Sequence, residues 1–487
     1  MTIKDLKPAA VFAIFDEITK VPRPSKKEGK IRQYLLDFAE KHNLAVKTDA
    51  VGNVVMSLPA TPGHEDAPTV ILQAHMDMVC ESNDKNFDFE NSPITTVVDG
   101  EWLRAEGTTL GADNGIGMAA ALAALTDKEL VHGPLEALFT VDEETGLTGA
   151  NNLGEGMISG SILLNLDSED DAEIFVGCAG GVDTTCTFRY ERMMAPTDFF
   201  YFKVEISKGL GGHSGGDIHL GRANANRLLA RFLYTLLSGK HELALAEIDG
   251  GNLRNAIPRA AHAIVGVHAA SKESVRVAFN EFVAEVKAEF DGIEPTLTLE
   301  LSSIERPEYC VDTETTTRLV ESLYAAPHGV ISMSRDLEGL VETSTNLASV
   351  KMQPDSTILV TTSQRSSVES RKWDIARRVE ALFTLAGATV THGDGYPGWA
   401  PNMNSPIMRL SADAYEELYG IRPAIKAIHA GLECGLFLEK YPHLDMVSFG
   451  PTLQGVHSPS ERMYIPAVER FWGQLTRTLE KVAELKK

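Results

Sequence analysis

Short apolar runs alternate with helical patterns at both ends of this 487-residue chain. Before residue 170 the runs include "NVVMSL", "TVILQA", "LEALFTV" and "SILLNLD", and after residue 400 they include "AIKAIHA" and "DMVSFGP". Segments with helical periodicity, such as "GMAAALAAL" and "SPIMRLSADAYEELYG", separate them. Strands that are apolar along their whole length are buried on both faces, so the pattern predicts an α/β domain with a mainly parallel sheet and helices on both faces.

The middle of the chain follows a different pattern. Its strands are more polar, as in "FFYFKVEIS", and its helices are long and surface-like, as in "KESVRVAFNEFVAEVKAEF". We therefore predict that an α+β domain at residues 188–398 is inserted between two parts of the α/β domain, residues 1–187 and 399–487. Glycine-rich "VGCAGGVD" leads into this insertion, and "GDGYPGWAPN" leads back. Two successive groups of elements, divided near Tyr309, leave open whether the insertion is doubled.

Composition excludes several classes of protein. The net charge of −23 would repel nucleic acid, and no apolar run approaches the length of a membrane helix. The N-terminal segment "MTIKDLKPAAVFAIFDEITK" is typical of an amphipathic helix rather than a signal peptide. An odd number of scattered cysteines provides no disulfide framework and no CxxC pair: Cys80, Cys178, Cys186, Cys310 and Cys434. We therefore expect a cytoplasmic protein without a nucleic-acid or membrane partner.

Acids and histidines follow several of the apolar runs, where the ligand-binding edge of an open α/β sheet is expected. They are His75 and Asp77 in "TVILQAHMDMV", Asp113 in "TTLGADNGIG", Glu143 and Glu144 in "LFTVDEETG", Asp167 in "ILLNLDSED", and His457 in "GPTLQGVHSP". Each has an ordinary explanation when taken alone. Asp113 and Asp167 can be helix caps, the paired glutamates can form a solvated turn, and a loop histidine can be structural. Together, however, neighbouring carboxylates would repel one another without cations.

Two histidines and three carboxylates suit a borderline divalent ion such as zinc, cobalt or manganese. The set is larger than one tetrahedral ion requires, so we predict a two-metal site with a shared carboxylate. Such ions make water a nucleophile near neutral pH, and one of the adjacent glutamates can accept its proton while the other binds metal. Asp77 can accept the remaining ring N–H of His75 and thereby fix its tautomer.

Five motifs occur in an order that resembles a known family. "HMDMV", "GADNGIG", "DEETG", "NLDSE" and "GVHSP" are similar to those of the cocatalytic-zinc peptidases related to carboxypeptidase G, peptidase T, peptidase V and carnosinase. "VGCAGGVD", "GGHSGG", "LRNAIPR", "GYPGW" and "HAGLECGLF" resemble the branch of bacterial aminoacyl-histidine dipeptidases, also called peptidase D. The resemblance extends over essentially the whole chain.

The resemblance implies two zinc ions per chain, with cobalt or manganese left open. It implies two ligand groups that share a bridging carboxylate: His75, Asp113 and Asp167 on one side, and Asp113, Glu144 and His457 on the other. Glu143 would be the general base and acid, and Asp77 would orient His75. An aspartate at position 167 is typical of the aminopeptidases and dipeptidases of the family, which implies a substrate with a free amine.

The insertion would be the lid domain of the family, and it would hold the substrate. The resemblance implies that His213 in "GGHSGG" polarises the scissile carbonyl, that Arg365 in "TTSQRSS" binds the substrate carboxylate, and that Asn255 in "LRNAIP" is a further contact. His and Arg suit these two tasks chemically. Glu433 in "HAGLECG" is a candidate for the substrate ammonium from its charge and loop placement, and capping of the following helix is the alternative.

Smaller members of the family dimerise through the lid, and the lid histidine then reaches the neighbouring subunit's site. In this chain a homodimer through the lid and action of His213 within its own chain both stay open.

The sequence thus predicts a zinc dipeptidase that hydrolyses Xaa-His and related free-amine dipeptides, with Glu143 as general base for a metal-activated water. One alternative is a deacylase or carboxypeptidase that acts on N-acyl amino acids. Another is a catalytically silent metal-binding protein on the same scaffold. A nucleotide-binding protein is disfavoured, because "GADNGIG" lacks both the Walker lysine and the dinucleotide glycine spacing.

Overall fold

The computed structural model describes residues 2–486, and the chain forms two compact units. The first unit comprises Met1–Gly177, Pro401–Ala427 and Leu432–Lys487, and the second comprises Cys178–Ala400 and Ile428–Gly431. The division predicted after residue 187 falls inside a strand of the second unit, Gly180–Arg189. The predicted return at residue 399 lies just before Pro401.

The first unit contains an eight-stranded sheet and a small four-stranded antiparallel sheet. The strands of the large sheet are, in spatial order, Ala45–Thr48, Val54–Leu58, Leu135–Thr140, Val70–His75, Ile162–Asn165, Asp445–Ser448, Glu173–Cys178 and Ala424–Ile428. Those of the small sheet are Leu453–Gln454, Arg462–Tyr464, Trp102–Ala105 and Thr96–Asp99. The α-helices of this unit are Ala9–Ile18, Gly29–His42, Ala112–Thr126, Glu143–Gly146, Thr148–Asn151, Pro406–Tyr419, Glu433–Lys440 and Ile465–Ala483.

The centre of the large sheet is parallel. Val70–His75 pairs in parallel with Leu135–Thr140 on one side and with Ile162–Asn165 on the other, and Ile162–Asn165 pairs in parallel with Asp445–Ser448. Every residue of the first three of these strands is buried, as expected for strands covered on both faces. This confirms the predicted α/β class with a mainly parallel sheet.

Parallel pairing brings the carboxyl ends of three strands to one edge of the sheet. His75 is the last residue of its strand and lies opposite Thr140, the last residue of the neighbouring strand. On the other side Gln73 lies opposite Asn165, so the chain that continues to Asp167 leaves the sheet at the same edge. Side chains that are far apart in the sequence therefore start from neighbouring positions.

The second unit is built on a nine-stranded antiparallel sheet. Its strands are, in spatial order, Thr298–Ser303, Phe199–Ser207, Ala261–His268, Ala244–Gly250, Val341–Met352, Thr357–Ser366, Gly180–Arg189 and Thr389–His392, and Gly329–Met333 also pairs with Val341–Met352. Short pairs join Arg192–Met194 with Tyr309–Val311, and Gly212–His213 with Ala256–Ile257. The α-helices are Ala225–Ser238, Lys272–Glu289, Thr313–Ala325 and Glu369–Leu385. Sheet and helices share an apolar core, which confirms the predicted inserted α+β domain.

Within residues 2–486, no helix combines the length and the apolar character that crossing a bilayer would require.

His328 accepts hydrogen bonds from two other segments of the second unit. Its Nδ1 lies 3.3 Å from the Leu347 backbone N–H that donates to it, and 3.3 Å from Asn224 Nδ2. Burial lowers the pKa of His328 to about 3, and the charge of Arg227 adds to this effect. The ring is therefore a neutral hydrogen-bond acceptor in the folded protein.

We predict that His328 makes the second unit less stable in acid. The unfolded histidine takes up a proton near its ordinary pKa of about 6.5, whereas the folded one does so only near pH 3. The stabilisation is therefore complete above about pH 6.5 and is lost as the pH falls, by at most about 1.4 kcal/mol per pH unit. His328→Asn keeps an acceptor in place of Nδ1 but does not titrate. Between about pH 7 and about pH 5, the thermal midpoint of His328→Asn should fall less than that of the wild type. An equal decrease in the thermal midpoint of both proteins would contradict the prediction.

Candidate metal centre

His75 faces carboxylates with both of its ring nitrogens. It is 1% exposed, and its Nδ1 lies 3.3 Å from Asp77 Oδ1 and 3.2 Å from the Asp77 carbonyl oxygen. On the other side of the ring, Nε2 lies 2.9 Å from Asp113 Oδ1. A carboxylate and a carbonyl at Nδ1 hold the proton there and leave the lone pair at Nε2.

Asp113 lies between the two predicted histidines. Its Oδ1 contacts His75, and its Oδ2 lies 3.1 Å from His457 Nε2. The remaining two carboxylates divide in the same way, since Asp167 Oδ1 is 3.4 Å from His75 Nε2 and Glu144 Oε2 is 3.1 Å from His457 Nε2. The five predicted ligands thus come together as two groups that share Asp113.

Two oxygens in this cluster have no hydrogen-bond donor. Asp167 Oδ1, despite its contact with His75, and Glu144 Oε1 are buried without a hydrogen bond. Burial raises the pKa of Asp167 to about 6 against the opposing charge of His75. Burial likewise raises the pKa of Glu144. A buried carboxylate without donors is stable only if it is protonated or compensated by a cation. The cluster therefore fits divalent ions, which both ligand groups could hold by imidazole nitrogen and carboxylate oxygen.

Glu143 lies beside this cluster at the start of the short helix Glu143–Gly146. Burial raises the pKa of Glu143 well above its ordinary value. The charge of His75 lowers it, and nearby carboxylates, Asp167 foremost, raise it further. The backbone N–H groups of Glu143 and Glu144 donate to Asp77 Oδ1 and Oδ2 over 3.0 and 3.3 Å. Asp77 therefore links the strand end that carries His75 to the pair of glutamates.

Two buried charged residues that no sequence motif singles out bind the backbone around this cluster. Glu461 accepts hydrogen bonds from the N–H groups of Leu110, Gly111, Ala112 and Asp113, at 2.7, 3.0, 2.8 and 3.4 Å. Arg23 is 1% exposed and donates to the carbonyl oxygens of Met76, Asp77 and Gly111. Together they tie the Asp113 loop to the end of the His75 strand. Neither lies in an apolar run or a catalytic motif, so no sequence signal marks them.

The Asp113 loop requires glycine at one position. Gly111 has a φ of +68°, in the left-handed region, and a Cβ there would lie 2.5 Å from Arg23 Nη2. The helix Ala112–Thr126 begins directly after this turn. Asp113 and Asn114 have non-helical backbone angles within this span. Asn114 caps the helical part, because its Oδ1 accepts from the Gly117 N–H at 3.1 Å. The Asp113 carboxylate instead faces the histidines.

A second group of buried acids lies nearby: Glu28, Asp77 and Asp142. Glu28 accepts from the backbone N–H groups of Lys26 and Asp142, at 2.8 and 3.0 Å. Asp142 accepts from the hydroxyls of Thr145 and Thr148. Hydrogen bonds therefore satisfy these carboxylates, which distinguishes them from the group around Asp113.

Glu433 is fully buried in the first unit. Its Oε2 accepts hydrogen bonds from Gln73 Nε2 at 2.6 Å and from Thr140 Oγ1 at 2.8 Å, whereas Oε1 has no partner. Burial raises the pKa of Glu433 to about 8. It is the first residue of its helix and makes no side-chain cap bond. Gln73, a polar residue inside an otherwise apolar strand, was the one sequence signal for this contact.

The other three predicted substrate contacts, His213, Asn255 and Arg365, lie in the second unit. His213 Nδ1 accepts from the backbone N–H groups of Gly216 and Gly215, at 3.0 and 3.3 Å. Its proton is therefore on Nε2. Burial and the charge of Arg365 lower the pKa of His213, so its ring is a neutral donor. Asn255 is exposed, and its backbone carbonyl oxygen accepts from the Ser214 backbone N–H at 2.7 Å. This hydrogen bond holds the loop that carries His213.

Arg365 is a buried cation without an anion. It is 7% exposed, and none of the ion pairs recorded within residues 2–486 involves its guanidinium. Nη1 donates to the hydroxyl of Tyr396 over 2.8 Å, and Nε has no acceptor. A buried arginine is rare unless it is paired, so this side chain is suited to an anionic ligand.

Comparison with known proteins agrees with this architecture. The model of the peptidase family M20/M25/M40 matches residues 71–481. The cytosol non-specific dipeptidase of Escherichia coli (strain K12) is 42% identical over 484 residues, 99% of each chain. The crystal structure of aminoacylhistidine dipeptidase from Vibrio alginolyticus is 42% identical with a TM-score of 0.92, and covers 100% of this chain and 99% of that one.

A more distant structure shares the fold alone. Aminopeptidase PepT from Bacillus cereus has a TM-score of 0.62 at 16% identity, with 98% of this chain and 100% of that one covered. The family match over most of the chain and the full-length relatives agree with the ordered motifs. The chain therefore belongs to the peptidase family M20/M25/M40.

Proposed function

We propose that this protein is a cytoplasmic dipeptidase that uses two divalent metal ions, zinc by preference, to hydrolyse Xaa-His and related free-amine dipeptides. The observation that carries the proposal is the pair of imidazole–carboxylate groups that share Asp113 and contain buried oxygens without donors. The relatives named cytosol non-specific dipeptidase and aminoacylhistidine dipeptidase support the substrate class, the C-terminal histidine and the cytoplasmic location.

His75, Asp113 and Asp167 would hold one ion, and Asp113, Glu144 and His457 the other. Bound divalent ions supply Lewis acidity, which polarises the scissile carbonyl and lowers the pKa of water. The protein's part is to keep these ligands deprotonated and oriented. Asp77 does this for His75 through Nδ1, and Glu461 and Arg23 do it for Asp113 through the loop backbone.

Glu143 would act as general base and then as general acid. Its carboxylate lies in a buried, acidic environment that raises its pKa, and such a carboxylate is a better proton acceptor than an exposed one. Glu143 would take the proton of the attacking water and deliver it to the leaving amine. Asp77 holds the backbone N–H of Glu143 and so positions this residue relative to the ligands.

Three further groups would recognise the substrate. Glu433 would bind the free ammonium through its unpaired Oε1, and Arg365 would bind the free carboxylate. His213, with its proton on Nε2, would donate to the carbonyl oxygen on which negative charge develops, and Asn255 would support the same loop.

The alternatives differ in what they require of these residues. A deacylase or carboxypeptidase acting on N-acyl amino acids needs no partner for an ammonium, whereas Glu433 is a buried acid with one oxygen that has no hydrogen-bond partner. A catalytically silent metal-binding protein does not need a base, whereas Glu143 lies beside the ligand groups. Both observations favour the dipeptidase.

Glu143→Gln should abolish turnover and leave the metal content unchanged, because the amide cannot accept a proton while every proposed ligand remains. Rates with an alanyl-histidine substrate and metal content by elemental analysis check this. Glu155→Gln, which alters an exposed glutamate, is the matched control and should retain full activity. Full activity in Glu143→Gln would overturn the assigned base.

Metal content should reach two ions per chain after loading with zinc and gel filtration. Asp113→Asn should reduce this content, because the asparagine offers one weak amide oxygen where the aspartate offers a carboxylate oxygen to each of the two ligand groups. Elemental analysis measures the stoichiometry without any assay of activity. One retained ion in the wild type, or two in Asp113→Asn, would contradict a shared ligand.

A free-amine dipeptide should be hydrolysed far faster than its N-acetylated form. Glu433→Gln should remove most of this preference by raising KM for the free amine, since a hydrogen bond to a charged group contributes about 1.5–3 kcal/mol. Steady-state kinetics of both substrates with both proteins measure the ratio. A wild type that prefers the N-acetylated substrate would instead support the deacylase.

A further inference from the structure

Tyr396 is the one side chain recorded as a hydrogen-bond partner of the Arg365 guanidinium in the described residues, and its position depends on glycine. Arg365 lies directly opposite Gly181 in the pairing of Thr357–Ser366 with Gly180–Arg189. A Cβ at Gly181 would lie 2.7 Å from the Tyr396 ring, and one at Gly431 would lie 2.8 Å from it. The ring therefore occupies space beside Arg365 that exists because both positions lack a side chain.

Backbone hydrogen bonds hold Tyr396 in this position. Its N–H donates to the Gly181 carbonyl over 2.8 Å, and its own carbonyl accepts from the Gly181 N–H over 3.0 Å. The same carbonyl accepts from Lys372 Nζ at 2.8 Å, and that lysine is buried. Three hydrogen bonds thus fix the tyrosine while its hydroxyl points at the guanidinium.

The direction of the Arg365–Tyr396 hydrogen bond leaves a proton available. A guanidinium has donors and no acceptor, so the Tyr396 oxygen must accept from Nη1. The phenolic O–H then faces elsewhere, and no acceptor for it is recorded among residues 2–486. Burial raises the pKa of Tyr396, so the hydroxyl stays protonated at neutral pH.

We propose that Tyr396 O–H is a second donor to the C-terminal carboxylate of the substrate, beside the Arg365 guanidinium to which that carboxylate is already assigned. The ligand class is a peptide with a free C-terminal carboxylate. The site explains why a glycine pair and a tyrosine accompany a buried, unpaired arginine. The inference rests on the proposed dipeptidase function and adds a residue to it.

The test compares a dipeptide that has a free C-terminal carboxylate with its C-terminal amide. In Tyr396→Phe the ring still fills the space beside Arg365, but the phenolic O–H donor is absent. We expect KM for the free acid to rise roughly 10-fold or more, as for loss of a hydrogen bond to a charged group, with kcat little changed. The kinetic constants for the amide should be the same in variant and wild type. Tyr234→Phe is the control, because no hydrogen bond of that hydroxyl is recorded in the described chain and it lies in the same unit.

The outcomes separate this site from a structural role and from the function itself. Equal losses on acid and amide, or no loss on either, would overturn the assignment of Tyr396 while the dipeptidase function stands. Equal cleavage of acid and amide by the wild type would overturn carboxylate binding and, with it, this site. A wild type without dipeptidase activity would overturn both. Thermal midpoints of Tyr396→Phe and wild type within about 2 °C would show that the fold is retained.

Discussion

The candidate metal centre of the first unit is organised around the contacts that Asp113 makes with two histidines. Its two carboxylate oxygens contact His75 and His457, whose positions in the chain are 382 residues apart. The neighbouring carboxylates of Glu143 and Glu144 have raised pKa values. Burial is the main cause, and the charges of nearby carboxylates add to it. Such a concentration of like charge is unfavourable in a folded core unless cations are bound. The arrangement is therefore better explained by metal binding than by stability.

The surrounding charged residues act on the backbone rather than on the ligands directly. Glu461 collects four N–H groups of the Asp113 loop, and Arg23 collects carbonyl oxygens from that loop and from the His75 strand. Opposite charges thus bind the donors and the acceptors of the same turn. The carboxylate oxygens of Asp113 meet only His75 and His457 among the recorded hydrogen bonds of the described residues, while the neighbouring acids Glu28 and Asp142 are satisfied by backbone and hydroxyl donors.

The second unit presents the opposite electrostatic problem. Arg365 is buried without a carboxylate, and its charge lowers the pKa of His213 beyond the effect of burial. Both residues are therefore prepared as donors, one charged and one neutral. The described residues thus contain buried carboxylate oxygens without donors in the first unit and a buried arginine without a carboxylate partner in the second.

Much of the fold, and the residues of the candidate metal centre, could be predicted from the sequence. Apolar runs without polar alternation indicated a parallel sheet, and the family resemblance of five ordered motifs indicated the histidines and carboxylates that the structure brings together. Arg23 and Glu461 could not be found in this way, and the motif that contains Tyr396 assigned that residue no role. The significance of all three residues depends on burial and on groups that they meet far away in the chain, and these do not follow from a local pattern.

The sequence by itself determined which residues end the strands and which chemical groups they carry, because strand burial and residue type are local properties. Only the tertiary structure decided that Asp113 is shared by two histidines, that Glu433 keeps one unpaired oxygen, and that Tyr396 fills the space above Gly181. These depend on parallel pairing and on close approach of distant segments. Distances of a few ångströms between such segments arise from packing of the whole unit, which no short stretch of sequence encodes.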